Sequence, residues 1–179
     1  MPNSSQISAQ ALNSTFLIAI GKALPSWCLP CGHSTKKYVL PFNQRRKLHD
    51  RAYRAQQRDH SEVCGLILAD NEHRLNLFFL PNRSGETLHF EMDCNEIRAT
   101  QRAARLSGKR VIGAFHSHPV GAAIPTLRDL RGAWLNKFLL IYDVCGREAR
   151  MWRICKAGKR RLAKEVCVLI QPRQTKNDK

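Results

Sequence analysis

A mixed β-sheet flanked by two or three helices, an α/β or α+β arrangement, is the fold class this sequence predicts. Short apolar runs of strand length recur at 63–68, 110–118 and 138–142. Two stretches, 42–59 and 95–107, space their apolar residues as helices do. There is no internal repeat, and no apolar run reaches the roughly 18 residues that a membrane span needs.

The elements follow in order. Residues 1–41 are Ser/Asn/Gln-rich, then contain Pro, Gly and Cys without a sustained period, and no acid occurs before Asp50. They read as a flexible extension. The apolar run 16–20 is short and its flank uncharged, so a secretory signal is not expected. Leu48, Ala52 and Ala55, with Tyr53 adjacent, mark the first helix. Residues 63–68 read as a buried strand, Asp70-Asn71 as a turn, and 74–80 as a second strand paired as a hairpin. In 95–107, Ile97, Ala104 and Leu106 lie near helical spacing, and Ser107-Gly108 ends the helix. A strand at 110–118, a short helix at 126–136, and strands at 138–142, 147–154 and 166–170 complete the reading. One domain is expected over 42–170, with a basic tail at 171–179.

The net charge is +16. Eight Lys and Arg fall between 145 and 164 against Glu148 alone, and six fall between 45 and 58 against Asp50. Such a balance attracts an anionic partner: nucleic acid, an acidic protein surface or anionic lipid. It equally describes a solvated surface. Of seven cysteines, Cys64, Cys94, Cys145, Cys155 and Cys167 sit in apolar or periodic segments. They read as small thiols in a reducing, cytoplasmic compartment, not as a disulfide framework. Cys28 and Cys31 form the one CxxC pair, with His33 nearby, which alone is a weak sign of metal or redox chemistry.

The chemistry concentrates in Gly113-Ala-Phe-His-Ser-His-Pro119 and the residues after it. His116 and His118 stand at the end of a β-prone run, and residues i and i+2 of a strand share a face. Pro119 stops the strand. After a Gly-Ala-Ala turn and Pro125, Thr126 and Asp129 fall in the first turn of the next helix, where a carboxylate reaches back toward the imidazoles. Two nitrogens and one oxygen suit tetrahedral zinc with a fourth position left for water. Thr-x-x-Asp is also close to a helix capping box, so Thr126 and Asp129 keep a purely structural explanation as well.

This string resembles the signature of the JAMM metallopeptidases, the zinc-bearing class of MPN domains: His-x-His-Pro, a spacer, then Ser-x-x-Asp, with a Glu well upstream near the start of a strand. Glu62, in Ser61-Glu-Val-Cys-Gly-Leu-Ile, stands where that Glu is expected. Pro81-Asn82 and Leu88-His-Phe-Glu-Met-Asp93 are similar to the prokaryotic JAB-like branch. The resemblance spans about 42–155. It implies a cytidine-deaminase-like mixed sheet flanked by helices. It implies zinc held by His116, His118 and Asp129, with Glu62 as general base and then general acid. Thr126, where the family usually has Ser, would donate to the oxyanion. Ser117 faces away from the histidines and carries no chemistry. Cys64 reads as a buried small residue, and His33, His49, His60, His73 and His89 lack partners at ligand spacing.

The activity so implied is hydrolysis of an amide or isopeptide bond at the carboxyl terminus of a ubiquitin-like or sulfur-carrier protein. No membrane partner is expected. Two alternatives stay open: a phage tail-assembly type of JAMM peptidase, and a basic nucleic-acid-binding MPN-like module.

Overall fold

The computed structural model of the chain describes residues 37–172. Cys28, Cys31 and His33, and all of the basic tail beyond Pro172, lie outside the described residues. The order is β1 (Tyr38–Leu40), α1 (Phe42–Asp59), β2 (Cys64–Ala69), β3 (Leu75–Leu80), α2 (Cys94–Leu106), β4 (Arg110–His118), α3 (Leu127–Gly132), β5 (Phe138–Asp143), β6 (Glu148–Ala157), β7 (Arg160–Val166) and β8 (Val168–Ile170). Six strands form one sheet in the order β3-β2-β4-β5-β6-β7, mixed because β4 and β5 are parallel and the other neighbours antiparallel. The α+β mixed sheet expected from the sequence is the architecture of the chain. Among the described residues no helix is long and apolar enough to cross a membrane.

The sheet is covered on both faces. On one, Leu48 and Ala52 of α1 pack with Leu40, Ile67, Leu77, Phe115, Leu140 and Tyr142. On the other, Leu66, Leu68 and Ala104 form one cluster and Ala123, Leu139, Ile141 and Ile154 a second. Alternation along β2 and β5 sends successive residues to opposite faces, which is why their apolar runs are continuous. β4 carries a bulge: Leu68 pairs with Val111 and Ile67 with Gly113, leaving Ile112 unpaired. The bulge resets the alternation, so that Ala114, His116 and His118 follow one another on a single face. At Gly113 a Cβ would collide with the Phe138 carbonyl of β5, so glycine permits the close parallel pairing. β3 is an edge strand, and Gln44 of α1 accepts from the Leu77 amide there.

Several boundaries differ from the expected ones. β1 lies inside the stretch read as an extension. It pairs in parallel with β8, and Leu40 is fully buried, so the folded body starts ahead of residue 42. A three-residue strand paired far along the chain has no local signature. On α2, Leu106 is exposed and Thr100 shares the buried face with Ala104. The helix expected over 126–136 stops at Gly132, because Ala133 is already extended. The expected strand 166–170 is two elements, and β7 precedes it within a run read as charged surface. β7 alternates between exposed and half-buried residues, and Arg150 of β6 clasps Glu165 of β7 through two bonds of 2.8 and 2.7 Å.

β7 also holds α3. The Arg161 guanidinium donates to the carbonyls of Leu130 (3.1 Å), Arg131 (2.7 Å) and Ala133, at the helix C-terminus where carbonyls lack partners. Arg161→Ala is expected to lower the unfolding free energy by about 1–2 kcal/mol, read as a reduced urea midpoint at unchanged slope.

Candidate metal centre

β4 delivers the two imidazoles. His116 is fully buried and His118 nearly so. Their Nε2 atoms face each other at 3.0 Å. His118 Nδ1 lies 2.8 Å from the Ala122 carbonyl, an acceptor only, so that nitrogen carries the proton. In the neutral ring, the Nε2 lone pair therefore points at the centre. Phe90 stacks on the His116 ring with centroids 4.5 Å apart. The loop after β4 is pinned by Trp152, which donates to the Ala123 carbonyl at 3.0 Å, and by the Gln56 amide donating to the Pro119 carbonyl.

β2 delivers Glu62. The antiparallel register aligns Cys64 with His116, which carries Glu62, two residues earlier, to His118. The junction is clamped: the Val63 amide donates to Ser117 Oγ (3.0 Å) and the Ser117 amide to the Val63 carbonyl (2.9 Å). The Asn82 amide donates to the Glu62 carbonyl (3.0 Å) and the His89 carbonyl (2.9 Å), while its oxygen accepts from Ser84 and Glu91. Oxygen and nitrogen donors of Glu62, His116 and His118 lie within 4.8 Å of one another.

α3 delivers Asp129. Thr126 is its N-cap, and the capping box is complete: the Asp129 amide donates to Thr126 Oγ1 (3.1 Å), and Asp129 Oδ2 accepts from the Thr126 amide (2.7 Å) and hydroxyl (2.8 Å). The same carboxylate meets the imidazoles, Oδ1 at 3.2 Å from His116 Nε2 and Oδ2 at 3.5 Å from His118 Nε2. The structural and chemical explanations of Thr-x-x-Asp thus coexist in one carboxylate. The Thr126 hydroxyl proton is directed at Asp129.

The electrostatics follow burial and contact. Burial pushes the Glu62 carboxyl up to about 7; Asp129 adds to this, and His118 and Arg128 pull against it. Burial also raises Asp129, but its close contacts with His116 and His118 outweigh it and hold the carboxyl well below the usual range. Burial lowers His116, favouring the neutral ring that a metal requires. For His118, burial is outweighed by Asp129, Ala122 and Glu62, and the net direction is upward.

The donor set suits a divalent ion. Two imidazole nitrogens facing each other can share one proton at most, whereas a cation uses both lone pairs. Bonds of about 2.0–2.1 Å in a tetrahedron put ligand atoms roughly 3.3 Å apart. The two Nε2 atoms, 3.0 Å apart, and His116 Nε2 with Asp129 Oδ1, at 3.2 Å, lie close to that edge; the second carboxylate oxygen, Oδ2, lies 3.5 Å from His118 Nε2. Glu62 brings a carboxylate oxygen within 4.8 Å of a donor nitrogen of each imidazole.

All five residues singled out in the sequence, Glu62, His116, His118, Thr126 and Asp129, converge here. Three others escaped it. Ser117, set aside because it faces away from the histidines, fixes the strand crossing beside Glu62. Asn82 entered only through the family resemblance and with no role, yet its side chain ties Glu62 to the 82–91 loop. His89 looked incidental, yet with Leu88 and Val120 it lines a cleft of about 150 Å³ over Glu62, His118 and Thr126. Only Pro81-Asn82 carried a signal, through its place in the family resemblance. Cys64 is buried, and burial, then Glu62 and Glu96, push its thiol up to about 12, which favours the protonated form over a thiolate.

Comparison with known proteins follows the same outline. A family profile described as prokaryotic homologs of the JAB domain matches residues 45–155. A desampylase of Pyrococcus furiosus is 35% identical over 112 residues, covering 62% of this chain and 76% of that protein. A desampylase of Haloferax volcanii is 28% identical over 95 residues, covering 51% of this chain and 66% of that protein. The solution structure of a protein from Desulfitobacterium hafniense aligns with a TM-score of 0.62 at 24% identity, over 76% of this chain and 94% of the other. One from Salinibacter ruber aligns with a TM-score of 0.50 at 20% identity, over 75% and 91%. These two share the fold. With its profile match across 45–155 and its identity to the Pyrococcus protein, the chain belongs to the prokaryotic branch of the JAB domain family and is a peptidase-type hydrolase.

Proposed function

We propose that this protein is a zinc-dependent isopeptidase or peptidase that cleaves the amide bond at the carboxyl terminus of a ubiquitin-like protein, sulfur carriers of that fold included. The observation that carries this reading is the convergence of His116, His118 and Asp129 on one point, with Glu62 beside it. The name desampylase, borne by both curated relatives, denotes removal of a ubiquitin-like modifier and supports the substrate class.

His116, His118 and Asp129 would hold the ion. When bound, zinc supplies a Lewis acid that brings the pKa of water to about 7. Glu62 accepts a proton from the attacking water and returns it to the departing amine, so base becomes acid and no net proton is consumed in the two steps. Its buried position suits a carboxylate that titrates near neutrality. Thr126 turns its hydroxyl from Asp129 to the carbonyl oxygen as charge develops there. The cleft of about 150 Å³ accommodates an extended chain with small side chains, as a flexible modifier tail presents.

Four outcomes are expected. Glu62→Gln lowers cleavage of a ubiquitin-like fusion by at least about a hundredfold and keeps bound zinc, whereas His118→Ala or Asp129→Ala loses both, as metal analysis reads directly. Chelator abolishes cleavage and zinc restores it. Asn82→Ala lowers kcat about tenfold without changing metal content. Iodoacetamide labels exposed Cys94, Cys145 and Cys167 but not Cys64 in the folded protein, by mass spectrometry, and cleavage persists.

A further inference from the structure

A second groove meets the site at Glu62 from the α1 side. Its volume is about 480 Å³, and its walls include Arg51, Arg54, Arg58, Phe79, Ser84 and Glu62. Positions 51, 54 and 58 lie three and four apart, so they share one helix face. The Arg51 guanidinium lies 4.3 Å over the Phe79 ring, and Lys47, one turn earlier, lies 5.4 Å from the same ring. Stacking holds the guanidinium by its plane and leaves its in-plane N–H donors free. Arg54 forms no ion pair among the described residues. Arg58 is held by Asp59 at 2.9 Å, the one acid besides Glu62 on the groove's walls. On the far side of Glu62 the cleft's cation, Arg128, is matched by Glu86 at 2.8 Å. Unmatched positive charge therefore stands on one side of the proposed point of cleavage.

We infer that the α1 groove is a docking surface for an acidic segment of the protein substrate, whose carboxylates meet Arg51, Arg54 and Arg58 while the adjoining chain passes Glu62. This rests on the hydrolase reading for the identity of the chain that lies there. Nucleic acid fits the groove less well. A phosphate at every residue would bring charge past Glu62 and Asp129, whereas a protein segment carries acids only opposite the arginines.

The test is binding by the full-length Glu62→Gln protein, which needs no turnover and so separates this inference from the hydrolase reading. Fluorescein-labelled hexaglutamate, hexaglutamine and oligothymidylate are titrated by anisotropy. Hexaglutamate is expected to bind more tightly than hexaglutamine. Raising ionic strength weakens it, and Arg51→Gln/Arg54→Gln/Arg58→Gln in the same background weakens it about tenfold. A matched loss of charge on α2, Arg98→Gln/Arg102→Gln/Arg105→Gln, leaves the affinity unchanged. Circular dichroism verifies that both triple variants are folded. Equal weakening by the two triple variants, or no weakening by the α1 set, overturns the inference. So does oligothymidylate that binds more tightly than hexaglutamate and depends on the α1 arginines. A wild-type protein that binds no zinc and cleaves no ubiquitin-like fusion, with the binding pattern intact, instead overturns the hydrolase reading alone.

Discussion

The antiparallel pairing of β2 with β4 is the constraint on which the rest of the site depends. Cys64 opposite His116 fixes where Glu62 falls, and a slip of one residue would turn that carboxylate to the other face. Two features hold the register. The reciprocal bonds between Val63 and Ser117 lock the strand end, and the bulge at Ile112 absorbs the mismatch further back. Ser117 has its place in the architecture for this reason, although it lies between two ligand candidates and faces away from both.

Asp129 shows one carboxylate serving two demands. As the N3 residue of a capping box it closes the first turn of a helix only six residues long. Too short to persist alone, α3 needs tertiary support, which Arg161 supplies from the last strand of the main sheet. The aim of Asp129 toward His116 and His118 is thus set at both ends of α3, by Thr126 at the start and by β7 beyond the end.

Burial sets the chemistry of each group according to its partners. His116 and Glu62 lose solvent and shift toward their neutral forms; Asp129, less completely enclosed, stays ionised because two imidazoles face it. Cys64 lies two residues from Glu62, and burial with the nearby Glu62 and Glu96 keeps its thiol protonated. The positive charge, so prominent in the composition, is not uniform in effect. On β6 and β7, Arg150 and Arg161 hold structure together, in the clasp with Glu165 and the cap on α3, whereas Arg51 and Arg54 of α1 line an open groove.

The sequence alone determined the sheet strands of continuous apolar character, the first helix with its buried Leu48, Ala52 and Ala55, and the placing of His116 and His118 on one face of a strand, because each is written in local spacing. The family resemblance over 42–155 anticipated the match at 45–155 and singled out Glu62 some 54 residues upstream of the histidines. What only the tertiary structure decided is what depends on distant partners. β1 and β7 exist through pairing, since three residues or a charged alternating run carry no strand signal of their own. Asn82 and His89 reach the site because a loop remote in the chain is packed against it, and Ser117 acts there because Val63 of a distant segment crosses it. Spacing along a chain reports which side chains share a face of one element; it does not report which elements a folded core will press together.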